Sequence, residues 1–381
     1  MDEPVVQGNA CALSAQTTCA FTGTPIAHLQ TIHRPSRFRA PHRMTTLLEA
    51  LHKQLAALAA THSSPTEALR TLVNSKLDAL PLPAKGSTLF RWQALAMVAA
   101  HDLSTFKLFE GHVDALAILA ELGGSRTSGA TWAVWCAEPP DARLRARTAD
   151  PIRVRLDGRK AWCSGAATVD HALVSAWNDQ GEPCLVAVAL NSPGVTVTES
   201  GWDAVGMSAS MSVDVLFDEV EGRLIGGAGR YLSRPGFWHG GAGIASGWYG
   251  AAAALGNAVR TACLAKGDRA EAHQRAHLGH IDTALASARA TLRDIASWID
   301  ANPAADAQTQ ALRARLVVEA CANQVLHHAG RALGAGPLCK DRHVARLFAD
   351  LPVFLRQSHA ERDLASLGTS LLALGASPWT L

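Results

Sequence analysis

The chain has 381 residues, of which 48% are hydrophobic and 18% are charged, and its formal net charge is +2. This length predicts two or three domains of ordinary size or one very large domain, and the composition argues against a disordered chain. The small net charge and the absence of a long apolar run predict neither a nucleic-acid partner nor a membrane partner. The eight cysteines form no CxxC pair, so we expect no disulfide framework, no metal site and a cytoplasmic location.

Residues 1–43 differ in composition from the rest of the chain. They are rich in Thr, contain Pro, and end in a basic patch that runs from His33 to Arg43. No secretory apolar core is present among them, and the first clean helical pattern opens at Met44. We therefore interpret residues 1–43 as a disordered tail or as a spurious N-terminal extension of the reading frame.

Residues 44–128 show the spacing of amphipathic helices. Leucines recur three and four residues apart after Met44, and Ser64 with Glu67 fits a capping box at a helix start. Two further helices are predicted over 89–100 and 110–122, the second ending at Gly123, a natural C-terminal signal. The polar start of that second helix, with His112 and Asp114, is expected to face solvent, or else to lie near an active site.

Residues 129–230 change to a strand pattern that begins at Thr131. Short apolar or alternating segments are separated by turn sequences such as Asn-Ser-Pro-Gly, which predicts a small antiparallel β-barrel or sandwich. Within it, Asp157-Gly158 is expected to form a hairpin turn.

Residues 231–381 return to the helical period. We predict long, Ala-rich helices over 242–266, 271–302, 305–333 and 342–367, which indicates a C-terminal four-helix bundle. The predicted fold class is therefore α+β, with an N-terminal helical domain, a middle β-domain and a helical bundle.

One segment indicates a specific chemistry, namely Gly158-Arg-Lys-Ala-Trp162-Cys-Ser164. Together with the helical, β, helical order, it resembles the middle domain of the FAD-dependent acyl-CoA dehydrogenase superfamily, which has a Gly-x-Lys-x-Trp-x-Ser/Thr strand. The resemblance implies that Trp162 and Ser164 lie beside the flavin ring. An indole would shield one face of the flavin, and a hydroxyl would supply a donor near its edge.

The resemblance implies further cofactor-binding positions. Trp135 and Ala137 lie where the family has its Tyr-x-x-Thr/Ser-Glu-Pro segment, although Ala137 replaces the usual hydroxyl. Arg275 heads a match to the Arg-x-Gln-Phe-Gly motif, whose guanidinium reaches the FAD pyrophosphate across a subunit interface. Gly334 and Gly336 lie where the family has a glycine loop. These features imply bound FAD and a homodimer or homotetramer.

The chain departs from the family at the catalytic base. The position aligned with the family's loop glutamate falls near Ser358, and the alternative position on the first bundle helix also lacks Glu. Three candidates remain, ranked His359, Glu361 and then His239. His359 ranks first because an imidazole titrates near neutrality and lies one residue from the aligned position. Glu361 ranks lower because it is displaced from that position by nearly a helical turn.

The main interpretation is an acyl-CoA dehydrogenase-like flavoenzyme that performs α,β-dehydrogenation of an acyl thioester. One alternative is a flavin-dependent monooxygenase of the same fold, because a histidine in this loop resembles those enzymes. Another is a non-catalytic flavin-binding or assembly protein that has lost the base.

Overall fold

The structure is a computed structural model that describes residues 42–380. Its helices are α1 His42–Ala60, α2 Pro65–Asn74, α3 Thr88–His101, α4 Leu103–Leu122, α5 Arg230–Ser233, α6 Gly236–Lys266, α7 Ala272–Ala301, α8 Gln308–Leu333, α9 Ala335–Lys340, α10 Arg342–Phe354 and α11 Glu361–Leu372. Its strands are β1 Trp132–Trp135, β2 Arg145–Thr148, β3 Arg153–Cys163, β4 His171–Trp177, β5 Pro183–Ala189, β6 Val195–Val197 and β7 Val213–Leu224. The last two residues of the predicted tail 1–43 belong to the start of α1. The other residues of that tail, 1–41, lie outside the described residues.

The N-terminal helices follow the predicted signals, with one displaced start. The capping box is present: the Ser64 hydroxyl accepts from the Glu67 N–H, and the Glu67 carboxylate accepts from the Ser64 N–H. The α4 helix ends at Gly123 in the left-handed region but begins at Leu103 rather than at residue 110. Asp102 caps it by accepting from the Thr105 N–H. Residues 110–114 therefore lie in the middle of a helix, and the prediction of a solvated helix start there is wrong.

The middle strands form one closed sheet. The sheet order is β1-β4-β2-β3-β7-β5, β5 pairs again with β4, and β6 adds to β7. Most pairs are antiparallel, but β1 runs parallel to β4, and β2 meets β4 in a parallel pair. The sheet is thus a small mixed barrel rather than the purely antiparallel one predicted.

The Asp157-Gly158 dipeptide is not a hairpin turn, which corrects the sequence prediction. Strand β3 continues through it, with a register shift against β7 between Leu156 and Gly158. Gly158 has φ +121°, so the dipeptide forms a β-bulge. A type I′ turn and a glycine-containing bulge both need positive φ, and the local sequence therefore does not distinguish them.

The C-terminal helices form a bundle in which α6 packs against α3 and α8, and α8 against α7. The helix predicted over 342–367 is broken: α10 ends at Phe354, one 3₁₀ turn follows, and α11 starts at Glu361. Ala360, at the break, has φ +47°, and Asp363 accepts from the His359 N–H at the start of α11. Within residues 42–380, no helix combines the length and apolar character needed to span a bilayer.

Candidate functional site

The Trp162 side chain is turned out of the barrel by an irregularity in β3. The register against β7 shifts between Lys160 and Cys163, and Trp162 has φ +56°. Its two flanking positions are buried, whereas Trp162 is 50% exposed. The bulge therefore presents a flat indole at the surface of the β-domain, as a face against which a planar ring can stack.

Ser164, two residues further on, is buried and contacts Trp135, another of the residues predicted to bind the cofactor. Its carbonyl accepts from the Trp135 indole N–H at 3.1 Å. Its hydroxyl oxygen lies 2.8 Å from that of Ser212, which lies 2.8 Å from that of Ser210. Met211, between these two serines, is 51% exposed. The structure thus brings Trp135, Ser164 and the strand of Trp162 together, with hydroxyls inside and apolar side chains outside.

The lysine of the Trp162 strand has a structural role. Lys160 is fully buried; its Nζ donates to Ser175 Oγ at 2.7 Å and lies 3.3 Å from Glu138 Oε1. Burial raises the pKa of Glu138, but hydrogen bonds from Ser175, Lys160 and Trp177 outweigh it and hold that pKa below its usual value. The backbone beside Ala137 is therefore anchored from inside the barrel.

Arg315 on α8 connects the two regions that were expected to carry a base. Its guanidinium donates to the carbonyl of Gly241 on α6 at 3.3 Å and to that of Gln357 at 2.6 Å. It lies over the Trp248 ring, 5.0 Å from the centroid. One buried cation thus fixes the loop 355–360 against the start of α6.

The loop itself presents a serine inward and a histidine outward. Ser358 is buried, and its hydroxyl accepts from the Ala360 N–H at 3.2 Å. The His359 side chain is 56% exposed, with Nδ1 at 3.3 Å from Asp363 Oδ1. Glu361, in the first turn of α11, is exposed. The inward position therefore carries no carboxylate, and His359 is oriented by Asp363.

His239, the third candidate, lies in the first turns of α6. It is 3% exposed, and its Nε2 has no hydrogen-bond partner among the described residues. Burial lowers its pKa, so the imidazole is neutral near pH 7. No hydrogen bond among residues 42–380 joins it to His359 or Glu361.

Two carboxylates lie one turn apart on α4: Glu110 is buried and was not predicted from the sequence, whereas Asp114 is half-buried and was named there. The Glu110 carboxylate lies 3.0 Å from Lys107 Nζ, and Asp114, one turn on, accepts from Arg91 at 2.8 Å. Burial raises the pKa of Glu110 to about 7; Lys107 opposes this shift and Asp114 adds to it. In the sequence, the signal for this pair was the i, i+4 spacing of two carboxylates in a helix whose other residues are mainly apolar.

His112 serves as a link between α4 and the barrel. Its Nδ1 accepts from the Trp132 N–H at 3.1 Å, so its proton sits on Nε2, which donates to Asp78 at 3.2 Å. Both ring nitrogens are engaged, and His112 therefore joins α4 to β1.

The remaining predicted cofactor residues lie in the bundle, where the described chain does not connect them to Trp162. Arg275 donates to the Ala270 carbonyl at 2.6 Å, and the neighbouring His277 Nδ1 lies 3.0 Å from His328 Nδ1. Gly334 ends α8 with φ +65°, whereas Gly336 lies within α9 rather than in an open loop.

One cavity of the described chain is lined by the N-terminal helical region and not by the Trp162 strand. It measures about 390 Å³ and opens between the segment 78–82 and the Val113, Leu116 and Ala120 side of α4. Gly111, which packs against β1, is on another side of the helix. Within residues 42–380 no group of three His, Cys, Asp or Glu side chains is arranged to hold a metal ion.

The mixed helix and sheet fold with its small barrel is consistent with the acyl-CoA dehydrogenase-like fold, and solved structures share it. KijD3, in complex with FMN and dTDP-3-amino-2,3,6-trideoxy-4-keto-3-methyl-D-glucose, aligns with a TM-score of 0.75 and 22% identity over 89% of this chain and 95% of its own. TdsC from Paenibacillus sp. A11-2, a dibenzothiophene monooxygenase solved with FMN and indole, aligns with a TM-score of 0.73 and 18% identity over 87% and 97%.

A curated sequence relative covers a smaller region. Amino sugar nitrososynthase DnmZ from Streptomyces peucetius is 39% identical over 100 residues, which is 24% of this chain and 24% of the relative's own length. No family model matches the chain.

Proposed function

We propose that the protein is a flavin-dependent monooxygenase that oxidises a heteroatom of a small molecule. The observation that carries this proposal is the composition of the loop 355–360, where Ser358 points inward and His359 points outward against Asp363. This favours the monooxygenase alternative over the acyl thioester dehydrogenase that was the main sequence interpretation.

The loop does not suit α,β-dehydrogenation. That reaction needs a base placed at the substrate's α-carbon with close geometric tolerance. Ser358 does not accept a proton unaided near pH 7, and Glu361, in the first turn of α11, is exposed. Oxygen transfer needs no carboxylate at that position.

The residues present fit a flavin. The half-exposed Trp162 indole, the exposed Met211 and the buried hydroxyl of Ser164 would hold an isoalloxazine, and flavin when reduced would supply the two electrons for oxygen activation. We infer that the flavin is FMN rather than the FAD expected from the sequence, because two of the structural neighbours were solved with FMN. We further propose that His359, oriented by Asp363, is the residue that transfers a proton during oxygen transfer.

We propose an amine as the substrate. The nitrososynthase relative is named for amino sugars, and KijD3 was solved with a dTDP-linked amino sugar. In the balanced reaction, one atom of O₂ enters the substrate nitrogen and the other leaves as water, with two electrons from reduced flavin and two protons. A separate reductase that uses a nicotinamide would regenerate the flavin.

The test uses the full-length protein with FMN and with FAD in turn. Flavin binding is measured first, followed by single turnovers with reduced flavin, isotopically labelled O₂ and a panel of dTDP-amino sugars. We expect labelled oxygen on the substrate nitrogen. Anaerobic bleaching of the flavin by acyl-CoA thioesters would instead establish a dehydrogenase, and well-folded protein that binds neither flavin would support the non-catalytic alternative.

A further inference from the structure

The cavity of about 390 Å³ between α4 and the segment 78–82 has mainly apolar walls. Val113, Leu116 and Ala120 line it from one side of α4, and Leu80 and Leu82 line it from the segment. Its volume lies within the range of about 300–1,000 Å³ that small-molecule sites occupy, and such sites also have mainly apolar walls with a few polar groups. We call it the α4 cavity.

Two buried side chains hold the segment 78–82 above α4. His112 on α4 donates from Nε2 to Asp78 at 3.2 Å. Arg91 on α3 donates to the Pro81 carbonyl at 3.3 Å and to Asp114 at 2.8 Å. His112 and Arg91 are 1% and 3% exposed, so breaking these bonds would leave buried polar groups without partners. The segment is therefore fixed at Asp78 and at Pro81, and the α4 cavity is preformed.

Arg126 supplies the positive charge at the α4 cavity. The other two charged residues of its lining are engaged, Asp78 by His112 and Arg91 by Asp114. Arg126 is exposed, and within residues 42–380 it makes no ion pair or side-chain hydrogen bond. A guanidinium can donate two parallel hydrogen bonds to a carboxylate. The α4 cavity thus combines apolar walls with one cation that is open to solvent.

We propose that the α4 cavity binds a small molecule that has an apolar body and one carboxylate, with the carboxylate paired to Arg126. The apolar body displaces water to which the leucine and valine side chains offer no hydrogen bond. A sugar nucleotide does not suit these walls, because its hydroxyl groups would be buried without partners. The Trp162 strand and the loop 355–360 do not line the α4 cavity, so the site is separate from the proposed flavin site.

The first experiment tests the charge of the ligand. Isothermal titration calorimetry on full-length protein compares octanoate, octanol and octylamine, which share a chain length and carry a negative, a neutral and a positive head. We expect octanoate to bind most tightly, octanol about threefold more weakly, as an exposed charge pair typically contributes, and octylamine most weakly. Arg126→Gln should remove the advantage of octanoate and leave the affinity for octanol unchanged.

The second experiment tests the location of the site. Ala120 is at an exposed position of α4 and lines the α4 cavity, so Ala120→Trp fills the cavity without disturbing the core. It should weaken octanoate and octanol alike by roughly tenfold or more, since both lose apolar burial. Ala57→Trp, at an exposed position of α1, is the matched control and should change neither affinity. Melting temperatures of the variants confirm that they are folded.

Three results would overturn the inference without touching the flavin proposal. Octanoate does not bind to folded wild type, or it binds equally well to Ala120→Trp, so that the α4 cavity is not the site. Octylamine binds as tightly as octanoate, so that the charge assignment is wrong. A dTDP-amino sugar displaces octanoate, so that the α4 cavity belongs to the substrate site of the proposed monooxygenase. Failure of the protein to bind FMN or FAD would contradict the proposed function and leave this inference standing.

Discussion

Glu110 is the residue whose burial has the clearest thermodynamic consequence. Its pKa is raised to about 7 from a usual value of 4.5, chiefly by burial. In the window between these values the folded chain keeps a proton that the unfolded chain has lost. The free energy of unfolding therefore falls as pH rises from about 4.5 to about 7, by on the order of 3 kcal/mol.

Glu110→Gln should remove this pH dependence. The amide mimics the protonated carboxyl, so the variant should match wild type near pH 4.5 and exceed it at pH 8. Urea unfolding at a series of pH values measures the difference, with Glu49→Gln at an exposed position of α1 as the matched control. A variant that is less stable than wild type at pH 8 would show that the Lys107 ion pair outweighs the cost of burial.

His359 is expected to matter more than Glu361 for oxygen transfer. It is oriented by Asp363, whereas Glu361, in the first turn of α11, is exposed. His359→Asn should slow product formation in single turnovers by roughly 10²-fold or more, the typical contribution of a positioned acid or base, and Glu361→Gln should change it little. His239→Asn is the third variant of the series. If Glu361→Gln alone abolished flavin reduction by an acyl-CoA, the dehydrogenase interpretation would be restored.

At the scale of elements, residue periodicity predicted the helices well, whereas the local structure at positions with positive φ was not predicted correctly. The leucine spacing and the Ser64 capping box predicted the N-terminal helices because local contacts determine them. Asp157-Gly158 was assigned to a turn because the glycine signal is shared by turns and bulges. The outward rotation of Trp162 comes from a second register shift against β7, which depends on a partner strand distant in sequence.

The same distinction explains the candidate site. The strand motif predicted Trp162 and Ser164, which the structure places in one region with Trp135. The roles of Glu110 and Arg315, and the hydrogen bonds that join Ser164 to Ser212 and Ser210, were not predicted, because they depend on contacts between segments distant in sequence. A buried charge on an amphipathic helix resembles a solvated one until its neighbours are known.

The crossing of α3 and α6 depends on Gly250. A Cβ there would lie 2.1 Å from the Ala96 carbonyl oxygen, a backbone atom that does not move aside easily. Gly250→Ala should therefore lower the free energy of unfolding by about 2 kcal/mol, as overpacking typically does. Gly241→Ala, in the same helix with nothing within 4 Å of its Cβ, should be neutral or stabilising. Equal effects of both substitutions in urea unfolding would show that the crossing tolerates a methyl group.

For the whole molecule, we predict a homodimer or homotetramer. The described chain leaves large apolar side chains exposed, among them Leu264 at 64%, Leu364 at 54% and Trp379 at 78%, and such surfaces commonly mark contacts between copies. Sedimentation velocity at two protein concentrations measures the assembly. A monodisperse monomer that still binds FMN tightly would contradict the prediction.

The last prediction concerns which part of the chain folds as a unit. Within residues 42–380 the core includes α1, whose Leu51, Leu55 and Leu58 are 0%, 4% and 5% exposed. Removing residues 1–41 should leave the melting temperature and the FMN affinity unchanged, because these core contacts are kept. Removing residues 1–63 should destabilise the protein by at least about 5 kcal/mol, since each buried leucine contributes roughly 2 kcal/mol. Differential scanning calorimetry of the two truncated proteins measures the difference. A comparable loss of stability on removing residues 1–41 would show that these residues contribute to the folded state. An unchanged melting temperature on removing residues 1–63 would show that α1 is dispensable.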